Sequence, residues 1–321
     1  MKTAQVGKDI EKAAEMLRNG GLVGIPTETV YGLAANALDE KAVTRIFKVK
    51  NRPSFDPLII HVASLADFQL YVKEIPVNLL KLAEKTGPGP LTLLLPKKDI
   101  IPDIVTSGLE RVAIRIPNHP LTLELLRQLD FPLAAPSANP FGYISPTRPE
   151  HVVAQLGDQL DYVIDGGASE VGIESTIIGI EGDKTVIYRK GGLSIEQIEK
   201  EIGKVYVLDH STSNPEAPGM LKSHYAPNKK VMVYSPNMHF ELIDSAKTGF
   251  LGFKETIAGV PAENQFILSA SGDYSEAARK LFYGLRWLDG LDIDTILIEL
   301  VPEENLGRAI NDRLRRAAAM D

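Results

Sequence analysis

YVIDGGASEVGIESTIIGIEGDKTVIYR, residues 162–189, decides the fold class. Three apolar runs, 162–165, 175–180 and 185–189, follow one another with no helical spacing between them. Parallel strands need a long crossover, usually a helix, and this stretch leaves no room for one between its last two runs. The reading is therefore a twisted mixed sheet rather than a strict βαβ series. Working outward, further short strands are expected at 22–25, 58–62, 91–95, 111–116 and 132–135. Helices are expected at 8–19, stopped by Gly20-Gly21, and at 40–48, capped by Asp39. Others follow at 78–84, 121–129 and 194–201. The N-terminal MKTAQVGKDIEKAAEML reads as an amphipathic charged helix and not as a signal peptide.

The chain of 321 residues is long enough for about two domains. Residues 209–230 are rich in Ser, Asn, Pro and His, lack apolar periodicity, and read as a linker. Beyond it the grammar turns regular. Strands are expected at 231–234, 249–253, 266–269 and 295–300, with helices at 275–288 and 305–318. This gives a larger unit over 1–208, the linker, and a small doubly wound, Rossmann-like α/β domain over 231–321. That second domain contains no G-x-G-x-x-G, so it offers no motif for a dinucleotide.

The formal net charge is -7, which argues against a constitutive nucleic-acid coat but not against a local basic pocket. With no cysteine, disulfides, thiolate metal sites and cysteine nucleophiles are excluded. The six histidines form no H-E-x-x-H or i,i+4 pair, so no zinc site is expected. No apolar run approaches the ~18 residues of a membrane span. The totals point to a soluble cytoplasmic protein.

Four clusters could carry chemistry. In GIPTETVYGL (24–33), Thr27, Glu28 and Thr29 sit on a turn after a strand, where α/β folds place ligand groups. Capping threonines in a plain turn would look the same. In KVKNRPSFDPLIIH (48–61), Lys48, Lys50 and Arg52 precede a proline-stiffened loop, as a polyphosphate would require. Cations at a helix C-terminus are also common, although Arg52 lies past the helix. His61 closes an apolar strand, where a histidine satisfied within the core is the more natural reading from the residues alone. In ERVAIRIP (110–117), Arg111 and Arg115 share one face of a strand and suggest an anionic ligand or an internal salt bridge. The fourth cluster, LAAPSANPFGYISPT (133–147), sets small polar side chains on a proline-locked loop. GIESTII and VIYRKGG fit the same picture, with glycines that let an anion approach the backbone. No P-loop, kinase set or nucleophile elbow occurs.

PTETVYGL, KVKNRP with His61 downstream, RVAIRIP, APSAN, GIESTI and YRKGG stand in the order and spacing of the YrdC-type threonylcarbamoyl-adenylate synthases. The resemblance spans about residues 8–205, and APGMLKSHYAP with the appended α/β domain resembles the long, two-domain form. It implies a concave face holding ATP and L-threonine. Thr29, His61, Arg115 and Ser175 would contact threonine, with the backbone of Ala135. Arg52, Asp56, Arg111, Ser137, Ser145 and Arg189 would contact ATP, and His224 and Tyr225 would fold over the nucleotide. Lys50 and Arg52 would be the catalytic cations, and Mg2+ would bridge the ATP phosphates. The implied reaction joins threonine, bicarbonate and ATP into threonylcarbamoyl-AMP and pyrophosphate. The product would pass to a tRNA threonylcarbamoyltransferase complex that modifies adenosine 37 of tRNAs reading ANN codons, with at most weak tRNA contact by this chain.

Three other readings compete, one of which takes the appended α/β domain as a purely structural or interaction module, since it carries no motif of its own. Carbamoyl-adenylate formers of hydrogenase maturation resemble this module but carry zinc-finger cysteines, which are absent here. A double-stranded RNA or tRNA binder without catalysis would use the same concave face, against the net charge of -7.

Overall fold

The computed structural model of the chain describes residues 4–208, 217–218, 225–236 and 244–319. Among them, eleven strands form one mixed sheet. Their order is Gln5–Gly7, Tyr162–Ile164, Val23–Ile25, Gly32–Asn36, Leu133–Ala134, Ile59–His61, Arg111–Arg115, Leu91–Pro96, Thr176–Glu181, Lys184–Arg189 and Tyr206–Val207. Thr176–Glu181 and Lys184–Arg189 form the antiparallel hairpin, while Leu91–Pro96 runs parallel to Thr176–Glu181. The sheet is thus mixed, as the spacing of 162–189 predicts.

Three strands depart from the sequence reading, among them Tyr206–Val207, which pairs parallel to Lys184–Arg189. Gln5–Gly7 is an edge strand parallel to Tyr162–Ile164, not the first turn of a helix. The helix begins at Ile10 because the Asp9 side chain accepts from the Lys12 N–H. Gly32–Asn36 is a strand antiparallel to Val23–Ile25, so PTETVY is the connection of a hairpin. Its sequence, GLAAN, has no β-branched residue, and pairing on both sides overrides its weak propensity. The helix Pro149–Leu156, with proline in its first turn, also went unread.

Local signals place the cationic loop. Asp39 caps the helix Glu40–Lys50 by accepting from the Lys41 and Ala42 N–H groups. Asn51 ends it in the left-handed conformation, and Arg52 therefore leaves the helix turned toward the sheet. Register then aligns polar residues across the sheet, with His61 opposite Arg115 and Arg115 opposite Thr92. Alternation sends Val112 and Ile114 into the main core, with Ile60, Leu93 and Ile178.

The smaller sheet has four parallel strands in the order Lys230–Val233, Thr295–Ile298, Thr248–Gly252 and Gln265–Ile267. Its helices Tyr274–Asp289 and Gly307–Ala318 pack on the face that carries Val231, Leu251, Ile296 and Ile298. The same core contains Val30, Ile144 and Ile173 of the larger sheet's domain, so the two domains share apolar packing. Among the described residues, no helix is long and apolar enough to cross a membrane.

Gly172 marks how close that packing is. It sits at φ +80, and a Cβ there would overlap Arg279 Cα and lie 2.7 Å from the Ala278 carbonyl oxygen. Gly172→Ala is expected to destabilise the protein by about 1–3 kcal/mol, through left-handed strain and displacement of the helix Tyr274–Asp289. A lower urea midpoint with unchanged slope is the expected observation, and an unchanged midpoint would show that the interface yields freely.

Candidate active site

One cleft of about 600 Å³, counting its mouth, opens over the register row His61–Arg115–Thr92. Its floor is Ile59, His61 and Arg115, and its walls are the hairpin turn at Thr27–Val30, the Ala135–Ser137 loop and the Glu174–Ser175 turn. Arg52, Arg189, Pro218 and Tyr225 complete it. Of the residues expected at the site, Thr29, Arg52, His61, Arg115, Ala135, Ser137, Ser175, Arg189 and Tyr225 all line this space.

Arg115 is buried and held on every nitrogen. Nη2 donates to Glu28 Oε1 at 2.6 Å, Nη1 to the Thr29 hydroxyl at 2.9 Å, and Nε to the Gly89 carbonyl at 3.2 Å. Glu28 Oε2 accepts from the Asn118 N–H at 2.9 Å, so its carboxylate joins the hairpin turn to the end of the Arg111–Arg115 strand. Glu28 escaped assignment in the sequence, although a buried arginine demands an anionic neighbour.

Arg52 is gripped from its own loop. Nη2 lies 2.9 Å from Asp56 Oδ2 and donates to the Pro57 carbonyl, while Nε donates to the Asp56 carbonyl. Asp56 is fully buried behind Arg52 and is not part of the cleft lining. Arg189 reaches across the hairpin, where Nε and Nη2 donate to the Ser175 carbonyl and Nη2 also meets the Ser175 hydroxyl at 3.1 Å. Burial lowers the Arg189 pKa to about 10, against the raising influence of Tyr225 and Glu174. It is still a cation at neutral pH. The Thr92 and Ser175 hydroxyls are 2.7 Å apart.

Like Asp56, the expected residues Lys50, Arg111 and Ser145 do not line the cleft. Lys50 Nζ is buried and donates to the Ser137 and Asn139 carbonyls, so it holds the Ser137 loop from beneath rather than facing the cleft. Burial and the nearby Arg52 push its pKa well below the usual lysine value. Arg111 shares the face of Arg115 but pairs with Glu181 and the Tyr188 hydroxyl. Ser145 is buried and donates to Glu174 Oε1 at 2.6 Å. His224 lies outside the described residues.

Glu174, within GIESTII, also lines the cleft, a place its motif alone does not reveal. Its second oxygen pairs at 3.0 Å with Arg313, whose side chain is fully buried in the helix Gly307–Ala318. Burial would raise the Glu174 pKa, but Arg313, Arg189 and the Ser145 hydroxyl outweigh it and leave a carboxylate. Nothing in the sequence singles out Arg313, one of several cations on an amphipathic helix.

The cleft thus presents three guanidiniums, hydroxyls and a neutral imidazole. It suits a small amino acid beside a phosphorylated ligand, with catalysis by positioning and charge. Among the described residues no group of three or more His, Cys, Asp or Glu side chains gathers as a metal site.

His61 is buried with an Nδ1 that has no partner among the described residues, and burial with the adjacent Arg115 lowers its pKa to about 3. The unfolded chain therefore binds a proton below pH ~6.5 that the folded chain refuses. Stability is unaffected above that value and declines as pH falls toward 3. NMR should find the His61 ring neutral at pH 5, and His61→Gln should flatten the acid loss of stability. A charged ring at pH 5 would refute the assignment.

Known proteins resemble this chain over nearly its whole length. Residues 15–191 match the Sua5_yciO_yrdC family, described as telomere recombination. Residues 193–319 match the C-terminal domain of threonylcarbamoyl-AMP synthase. The chain is 43% identical to the threonylcarbamoyl-AMP synthase of Pyrococcus abyssi, over 96% of this chain and 94% of the relative. It is 38% identical to that of Bacillus subtilis, over 96% and 92%. A crystal structure of P. abyssi Sua5 complexed with L-threonine superposes with a TM-score of 0.90 at 41% identity, covering 98% of this chain and 97% of that one.

Proposed function

Because the chain belongs to the Sua5–YciO–YrdC family and is a threonylcarbamoyl-AMP synthase, we propose that its cleft carries out the whole condensation. Threonine and ATP are its substrates, and bicarbonate or CO2 supplies the one-carbon unit. The supporting observation is the convergence of Thr29, His61, Arg115 and Ser175 on one side of a single cleft with Arg52 and Arg189.

In this reading, Arg115 and the Thr29 and Ser175 hydroxyls bind threonine against the Ala135 backbone. His61, neutral, offers Nδ1 as an acceptor to a threonine donor. The free amine adds to the carbon of CO2, and the nitrogen loses its proton to water or bicarbonate to give a carbamate. A carbamate oxygen then bonds to the α-phosphorus of ATP, the bond to the β-phosphate oxygen breaks, and pyrophosphate leaves. Arg52 and Arg189 stabilise the charge shifted onto the phosphates, with Asp56 fixing Arg52. Lys50 contributes by fixing the Ser137 loop. Ser137, His224 and Tyr225 complete the nucleotide side. Arg111 would join it by exchanging its bond to Glu181 for the nucleotide, and Ser145 by accepting from a nucleotide N–H or O–H while its own hydroxyl proton stays on Glu174.

Mg2+ would enter with ATP and neutralise charge on its phosphates, held by phosphate oxygens and water as is usual for this hard cation. The protein fits that role poorly as a cage, since the carboxylate of Glu174 is already engaged by Ser145 and Arg313. We assign residues 1–208 to catalysis, 209–230 to a lid and 231–321 to the second domain. The product would leave in the cytoplasm for a tRNA threonylcarbamoyltransferase complex, with only weak tRNA contact by this chain.

The test is pyrophosphate release with threonine, bicarbonate and ATP omitted in turn, together with detection of threonylcarbamoyl-AMP by mass spectrometry. Release should require all three. Arg52→Ala and Arg189→Ala should each lower kcat/KM by about 100-fold, and Arg115→Lys should raise the threonine KM about tenfold. Normal release by either alanine variant would remove the phosphate assignment, and bicarbonate-independent product would remove the one-carbon step.

A further inference from the structure

Arg313 stands between the two turns on which the cleft's chemistry depends. Its Nε pairs with Glu174 Oε2 at 3.0 Å, and its Nη1 donates to the Lys190 carbonyl. Glu174 directly precedes Ser175, and Lys190 directly follows Arg189. Those neighbours are themselves joined, because Arg189 donates to the Ser175 carbonyl and hydroxyl. One guanidinium from the second domain therefore spans the bases of both active-site turns. Its planar fork also lies 5.5 Å from the Tyr225 ring centroid, with Arg316 5.0 Å from the same ring. Tyr225 lines the cleft.

A second grip comes from the helix Tyr274–Asp289. Arg286 donates to the Ile144 carbonyl and, at 3.4 Å, to that of Ser145. The Ser145 hydroxyl in turn donates to Glu174. Glu174 is thus fixed at one oxygen by Arg313 and at the other by a serine whose backbone the second domain also holds. An ion pair this buried contributes little net stability over an apolar replacement, and its clearest use is to fix geometry.

We propose that Arg313 is a positioning residue for the reaction: by bracing Glu174 and the Lys190 carbonyl, it sets where Ser175 and Arg189 meet the substrates. The smaller domain is then a working wall of the active site. This rests on the substrate assignments proposed above. Lysine cannot reproduce the brace, because a single ammonium does not span both acceptors in the plane of the fork.

The test compares Arg313→Met, Arg313→Lys, the near-isosteric Glu174→Gln and the Arg313→Met/Glu174→Gln double variant in the full chain. Threonine Kd is measured by calorimetry, kcat and KM by pyrophosphate release, and Tm in parallel, with assays kept well below each Tm. Arg315→Met, on an exposed face of the same helix, is the control and should leave all of these within about twofold. Each single variant should weaken threonine binding and kcat/KM by about tenfold or more, and the double variant should lose no more than the worse single one.

Unchanged binding and turnover in Arg313→Met or Glu174→Gln, with only Tm lowered, would overturn the proposal, as would additive losses in the double variant. Should Arg313→Met fail to fold, Glu174→Gln decides, since loss of binding at an unchanged Tm supports the brace and intact binding removes it. A wild-type protein that binds threonine without releasing pyrophosphate would sink the reaction assigned above. The threonine Kd of the variants would still judge the brace.

Discussion

The contact on which the cleft depends is the buried pair of Arg115 and Glu28. An isolated guanidinium in an apolar sheet would be prohibitively costly, so the carboxylate must arrive with it. Because Glu28 belongs to the hairpin turn and Arg115 to a central strand, neutralising the charge also sets the turn's position. Thr29 follows as the next residue, and its hydroxyl meets the same guanidinium. The Asn118 N–H on the second carboxylate oxygen then fixes the chain leaving the strand. A single charge balance thereby arranges the turn and its hydroxyl, and sets one side of the space for a ligand.

The same device recurs at the other cations with different outcomes. Asp56 backs Arg52 within one short loop, and Arg52 remains turned to the cleft. Glu181 and Tyr188 engage Arg111 at the far end of the strand it shares with Arg115, so two residues on one face have separate roles. Among the described residues Lys50 has no carboxylate bonded to it, and its ammonium instead donates to two carbonyls of the Ser137 loop. Side-chain identity does not distinguish these cases, because what differs is whether an anion or a carbonyl lies behind the cation.

That difference explains what was legible in the sequence. Strands rich in Val and Ile, the Asp39 cap and the hairpin at 176–189 declare themselves locally, and with them the mixed sheet. GLAAN becomes a strand only because neighbours on both sides pair with it, and Gln5–Gly7 only because Tyr162–Ile164 is free on one edge. At the site, motif order placed nine residues in one cleft, but spacing along the chain could not reveal what lies behind each. Glu28 could have been inferred from the need to neutralise Arg115. Arg313 could not, since its partner Glu174 is 139 residues away and the helix pattern treats it as one more polar position.

Those separations bear on the order in which the molecule assembles. Arg115 meets Glu28 across 87 residues, Thr92 meets Ser175 across 83, and Arg313 meets Glu174 across 139. Each contact closes a long loop whose entropy must be offset before the contact is gained, so local helices and the 176–189 hairpin have the kinetic advantage. The cleft is then among the last features to appear in refolding and among the first to loosen under mild denaturant. Recovery of activity should consequently lag behind recovery of helical signal, and ligand binding would report partial unfolding before the backbone does.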